Sequence, residues 1–168
     1  MGEKVKAQAS FEYLIIFGIA LTLILILGGV FFTYSGEAKE QLDKKQIEKI
    51  GREIISNVEK MYFLPEGNKV TIDTNFPQGI ENLTIVHFNN SGIVFDILNV
   101  SYYNEDIFSS ELFETKETYI RFNCSYSCQH NYTTNVSWFN DTSLFTQGAK
   151  RIQIVSQGDY VSIDFVRD

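Results

Sequence analysis

Twenty consecutive residues, Tyr13 to Phe32, contain no charged and no amide side chain. They read YLIIFGIALTLILILGGVFF, and few architectures can hold such a run. Twenty residues of helix rise about 30 Å, the thickness of a bilayer's hydrocarbon core. A helix apolar on every side has no face to turn to water, so it requires lipid or other apolar helices around it. One acid, Glu12, stands at the N-terminal lip of the run, where an ionisable group is costly without a partner or a function. A short leader, MGEKVKA, comes first. Ordinary secretory signals are cut after the apolar segment, whereas here the small residue and the polar stretch precede it.

Lys6, Ala7, Gln8, Ser10, Glu12 and Tyr13 make the pattern K-A-Q-x-S-x-E-Y. This pattern resembles the class III signal peptide of archaeal type IV pilin-like proteins. The resemblance covers the leader's end and residues 8–32; the remainder of the chain is read from its residues alone. It implies cleavage between Ala7 and Gln8 by a prepilin peptidase, with Ala7 standing where the family more often has Gly. Gln8 then becomes the first mature residue and Glu12 the fifth, the position at which type IV pilins carry their Glu. In those proteins this Glu is understood to pair, during assembly, with the free N-terminal amine of a neighbour. A carboxylate buried among like helices does need such a positive partner. The plainer alternative is that Glu12 marks the headgroup boundary, near a helix N-terminus where negative charge is favourable.

After the span the chain becomes charged without ceasing to look helical. Leu42, Ile47, Ile50, Ile54, Ile55, Val58 and Met61 recur mostly at gaps of three and four, a stripe on one helix face. Glu40–Lys44 and Glu48–Arg52 are i,i+4 pairs in the favourable order. The stop signal is Leu64-Pro65-Glu66-Gly67-Asn68. A helix from about Ser10 to Tyr62 would measure roughly 80 Å. Gly28 and Gly29 cost a helix about 1 kcal/mol each relative to Ala in water. Unmade backbone bonds in lipid would cost more, so the helix is expected to run through them unbroken or gently bent.

Beyond Asn68 the apolar period changes to two. Lys69–Thr74, Leu83–Phe88, Ile93–Val100, Thr118–Phe122, Ile152–Val155 and Tyr160–Phe165 read as strands. Asn89-Asn90-Ser91-Gly92 suits a hairpin that makes 83–88 and 93–100 antiparallel neighbours, and Gln157-Gly158-Asp159 suits a second turn. Residues 101–147 are less regular and read as long exposed loops. The expected class is α+β: a long N-terminal helix, membrane-spanning and then amphipathic, packed on a C-terminal antiparallel β-rich domain. The divisions are leader 1–7, membrane or filament-core helix 8–34, amphipathic continuation 35–63, and extracellular β-rich domain 68–168.

The formal net charge is −7, which argues against nucleic acid and anionic headgroups as partners. Lys4 and Lys6 precede the span, whereas lysines and acids nearly balance after it, so the N-terminus is expected inside and the C-terminal domain outside. Seven Asn-x-Ser/Thr sequons begin at Asn82, Asn89, Asn99, Asn123, Asn131, Asn135 and Asn140. Composition alone would give roughly two, which makes these residues N-glycosylation candidates, the alternative being unmodified Asn-rich loops. Cys124 and Cys128 are the only cysteines. Outside the cell such a pair reads as a disulfide, stiffening a small loop. Two thiolates would otherwise be half of a zinc site, with His130 the only nearby third ligand.

No chemistry-bearing constellation emerges. His87 reads as a structural strand histidine, His130 as exposed, Asp73 and Asp96 as solvated surface acids, and Trp138-Phe139 as loop packing. No nucleophile elbow, phosphate loop or metal helix occurs. The expectation is therefore not an enzyme, with no cofactor. It is a structural subunit, major or minor pilin, of an archaeal type IV pilus-like filament serving adhesion. Its partners are copies of itself or other pilins, the prepilin peptidase and the membrane, with no nucleic acid. It waits in the cell membrane as a single-pass protein with a cytoplasmic N-terminus, then enters an extracellular surface filament. The alternative is a monomeric, signal-anchored extracellular binding protein.

Overall fold

The computed structural model describes residues 2–90, 93–104, 107–116, 119–124, 128–139 and 141–166, with side chains for all of these except 2–10, 37, 40, 90, 93–95, 104 and 107. The chain divides into two units, residues 1–42 and 43–168. Helix α1, Gly2–Tyr62, supplies the whole described part of the first unit and enters the second.

In the first unit, helical backbone passes through Gly28 and Gly29 without interruption. Its side chains from Phe11 to Gly36 are exposed, apart from a half-buried Gly28 and the undescribed Glu37 beyond. Large apolar exposures run from 47% at Ile15 to 78% at Phe32. Mean hydropathy reaches 2.8 over the most apolar window, and none of that window is buried. Two threonine hydroxyls, one within the run and one just after it, are satisfied internally. Thr22 Oγ1 donates to Gly18 O at 2.9 Å and Thr33 Oγ1 to Gly29 O at 3.1 Å. Bonding back one turn leaves neither hydroxyl in need of an outside partner in an apolar surrounding.

The second unit begins inside α1. Ile47, Ile50, Ile54, Ile55, Val58 and Met61 are all buried, as the stripe predicts. Leu42, placed on the stripe by its spacing, is 66% exposed instead, because it lies before the helix meets the β-strands that cover the rest. The helix ends at Tyr62 with Leu64 N bonded to Met61 O, and Gly67 then takes φ +87, a left-handed turn that glycine adopts without steric cost.

Nine strands follow: β1 Lys69–Phe76, β2 Ile80–Asn90, β3 Ile93–Asn104, β4 Ile107–Glu114, β5 Phe122–Cys124, β6 Cys128–Asn131, β7 Val136–Phe139, β8 Gly148–Ser156 and β9 Val161–Phe165. A short 3-10 turn, Thr142–Phe145, is capped by Asp141. One sheet has the order β1-β8-β9-β5 and the other β4-β3-β2-β7-β6. The β2–β3 hairpin is antiparallel, with Asn90 opposite Ile93. β8 and β9 are antiparallel about the turn at Gly158, φ 85. One pairing departs from the antiparallel rule: β5 runs parallel to β9.

The middle of the chain is more ordered than its composition suggests. β4 extends the hairpin into a three-strand meander, and β6–β7 forms a second hairpin. β4 carries no plain period-two signal because its alternation is inverted: Glu111 is half-buried and held by Lys44, while Leu112 on the other face is 60% exposed. The strand expected at 118–122 is not there; only Phe122 belongs to a strand, and Thr118 lies outside the described residues. Ile120 is nevertheless fully buried, so its apolar character reflects the core without a ladder.

Apolar side chains of the helix and of both sheets form one buried cluster. At Gly51 the helix backbone comes close to β4, for a Cβ there would overlap the Phe113 ring. Gln46 Nε2 donates to Asn75 O on β1 and Lys116 N to Glu59 Oε1, so the helix is tied to strands of both sheets or to their flanks.

Candidate functional site

The register of the five-stranded sheet brings together four polar side chains that lie far apart in sequence. His87 on β2 is directly opposite Asp96 on β3, and Ser137 on β7 is opposite His130 on β6. His87 shares the parity of Leu83 and Ile85, and Asp96 that of Leu98 and Val100, so both point with the core residues. His87 Nδ1 and Asp96 Oδ1 are 2.7 Å apart, His87 Nε2 and Ser137 Oγ 2.9 Å, and His130 Nδ1 and Ser137 Oγ 2.8 Å. The second oxygen of Asp96 accepts from Phe122 N at 2.7 Å. Asp96 and Ser137 are each 1% exposed.

Asp96 is thus no solvated surface acid, and Asp73, exposed on β1, belongs to the other sheet. Burying a carboxylate is tolerable only when its oxygens are bonded, and both are. One proton arrangement satisfies every member: His87 Nδ1–H donates to Asp96, Ser137 O–H donates to His87 Nε2, and His130 Nδ1–H donates to Ser137 Oγ. The order Asp–His–Ser is that of an activated nucleophile. Here, however, the hydroxyl is buried and held by a second imidazole, so it is not presented to a substrate. The relay links β3, β2, β7 and β6, and through Phe122 it ties this sheet to β5 of the other. A cleft of about 200 Å³ lined by His87, Asp96, Arg121, Phe122, Asn123, Asp159 and Tyr160 opens beside it.

The disulfide lies next to the relay. Cys124 ends β5 and Cys128 begins β6, so the bond joins one sheet to the other as well as closing a small loop. His130 is exposed and bonded to Ser137, not to sulfur. Among the described residues no group of three His, Cys, Asp or Glu side chains is arranged to hold a metal.

The sequons fall into two environments. Asn82-x-Thr84 and Asn99-x-Ser101 lie within paired strands β2 and β3, where the period of two puts each Asn and its hydroxyl partner on one face. The Oδ1 atoms of Asn82 and Asn99 are buried without a hydrogen bond. Asn89 is exposed at the end of β2, and Asn123 Oδ1 accepts from Cys124 N. Asn131 and Asn135 flank the β6–β7 turn. Asn140 lies outside the described residues. Ala7 and Gln8 are helical in backbone, with side chains outside the described set, whereas Glu12 is exposed on α1.

The signal for the relay was present in the sequence. In a 2-residue-turn hairpin the strands Leu83–Phe88 and Ile93–Val100 place His87 opposite Asp96, each on the core parity. Ser137 and His130 carried no such signal, because β6 and β7 are only four residues long. No family model, curated protein or solved structure matches this chain.

Proposed function

We propose that the chain is a structural subunit, a major or minor pilin, of an archaeal type IV pilus-like surface filament that serves adhesion. The observation that carries the reading is the exposed, largely apolar helix of residues 11–36, whose first residues complete K-A-Q-x-S-x-E-Y. Such a surface has two stable surroundings, lipid tails or the helices of other subunits. Assembly exchanges the first for the second, so one apolar segment serves as membrane anchor and then as filament core. Packing there is driven by side-chain contact and exclusion of lipid, since no charge cluster interrupts the span. Cleavage between Ala7 and Gln8 by a prepilin peptidase frees an amine one helical turn from Glu12, and that amine, on the same chain or a neighbour, is the cation the carboxylate needs. The C-terminal unit, its disulfide and any glycans then face the outside, consistent with oxidised cysteines.

The test is the N-terminus and mass of the protein recovered from sheared cell-surface material. A chain beginning at Gln8 supports the filament subunit. An intact Met1, or recovery only from detergent-extracted membranes, replaces it with a signal-anchored monomeric binding protein and removes the assembly role of Glu12.

A further inference from the structure

We propose that the β6–β7 turn holds one open and one closed glycan acceptor: Asn131 is modified on the folded chain and Asn135 is not. The inference rests on the external placement of the C-terminal unit proposed above, and it says which sequon an external modifying enzyme can use.

Asn131-Tyr132-Thr133 and Asn135-Val136-Ser137 are two sequons four residues apart on the same turn. A transferase must reach both the amide nitrogen and the hydroxyl two residues on. Thr133 offers the hydroxyl, and Asn131 is half-buried at the end of β6. Its Oδ1 accepts from Thr133 N at 2.9 Å and from Thr134 N at 3.4 Å, an Asx turn that employs the oxygen and leaves the amide nitrogen with no bond among the described residues. Thr133 is exposed, and Tyr132 between them is 86% exposed. Asn131 also ends β6, the edge strand of its sheet, one residue beyond the relay contact of His130.

Asn135 is exposed where Asn131 is only half-buried, so exposure of the asparagine alone would favour Asn135. Its hydroxyl partner separates them. Ser137 is 1% exposed, with Oγ bonded to both His87 Nε2 and His130 Nδ1. The carbonyl of Asn135 accepts from His87 N at 2.8 Å, and Asn135 itself sits at φ 51, a conformation Asn tolerates better than most residues. To present this sequon, β7 must leave β2 and the relay must break. Ser137 therefore serves the fold at the expense of the sequon.

The transfer joins Asn131 Nδ2 to the anomeric carbon of a sugar delivered on a lipid phosphate. The carbon–oxygen bond to the phosphate breaks, its electron pair leaves with the phosphate, and one amide proton passes to a base of the transferase.

The full-length chain, purified in detergent, is offered an oligosaccharyl transferase with a lipid-phosphate-linked oligosaccharide, once folded and once in urea, and occupancy is read site by site by mass spectrometry. In the folded chain Asn131 should exceed Asn135 by at least about tenfold, because presenting Asn135 requires local opening. In urea the two should converge. Equal occupancy in the folded chain overturns the proposal, as does an Asn131 left unmodified in both states. Since the chain is purified, the result does not depend on where cells place it; the sheared-material experiment decides that separately.

Discussion

Residues 11–36 and residues 43–62 belong to one helix, and both are rich in isoleucine and leucine or valine, yet their apolar side chains are distributed differently. In the first stretch they cover every side and all stand exposed. In the second they keep to one stripe, and that stripe from Ile47 to Met61 is buried with residues of both sheets. The lesson is that the content of apolar residues says little about where a helix hides them. Their angular spread does: a stripe is matched to a partner within the chain, whereas an all-round coat can be matched only by a solvent or by many copies.

Substituting one residue in each half should break the symmetry most. Ile54 is fully buried, and Ile54→Asp puts an unpaired charge in the core. Loss of more than about 4 kcal/mol is expected, enough to unfold the second unit, as read by circular dichroism and denaturant melts. Leu25→Asp, on a side chain 68% exposed, should leave that melt within about 0.5 kcal/mol. Its effect should appear instead as impaired membrane insertion, worth about 3 kcal/mol at a helix centre.

Asp96→Ala comes next. It leaves Phe122 N–H and His87 without their acceptor in a buried place, and should cost about 3 kcal/mol in urea unfolding of the second unit. A cost below about 1 kcal/mol would mean that water replaces the carboxylate and that the relay is not a tie between sheets. The double change Cys124→Ser with Cys128→Ser should cost about 2 kcal/mol by loop-closure reasoning. Because the bond joins β5 to β6, amide exchange should rise selectively in 128–139 before it rises in β1 or β8.

The smallest effect concerns Lys44, just inside the second unit. Glu111, at 3.2 Å, raises the Lys44 pKa above its ordinary value, first through the hydrogen bond and then through charge. A raised folded-state pKa stabilises below the unfolded lysine pKa of about 10.4, and the contribution is lost as pH rises through the folded value. Glu111→Gln should therefore lower the melting temperature slightly at neutral pH, with the difference from the wild type vanishing in strongly alkaline solution. Lys44 is solvent-exposed and Glu111 half-buried, so added salt should shrink the same difference in part.

The two halves were also unequally legible. The apolar run, the stripe and the stop at Leu64–Asn68 are local patterns, and the helix follows them closely; Leu42 was misplaced because spacing alone cannot say where a covering sheet begins. The hairpin strands followed from period two and their turns. β4, β6 and β7 did not, since one puts Glu111 inward and the others are too short for a period to register. The relay depends on both the legible hairpin and the illegible strands, so only its His87–Asp96 half could have been anticipated. A buried polar pair on core parity is a signal that reading strands by hydrophobicity alone passes over.

Trp138 is the chain's one tryptophan, and it lies on β7, half-buried, beside Ser137 and opposite Thr84 and Gln129. Its emission therefore watches the strand that the relay holds and is blind to residues 11–36. Far-ultraviolet dichroism sees mostly the long helix, half of which needs no β-sheet to persist in detergent. Melts followed by the two signals should not coincide, because a chain whose second unit has unfolded keeps helix over residues 11–36 in detergent.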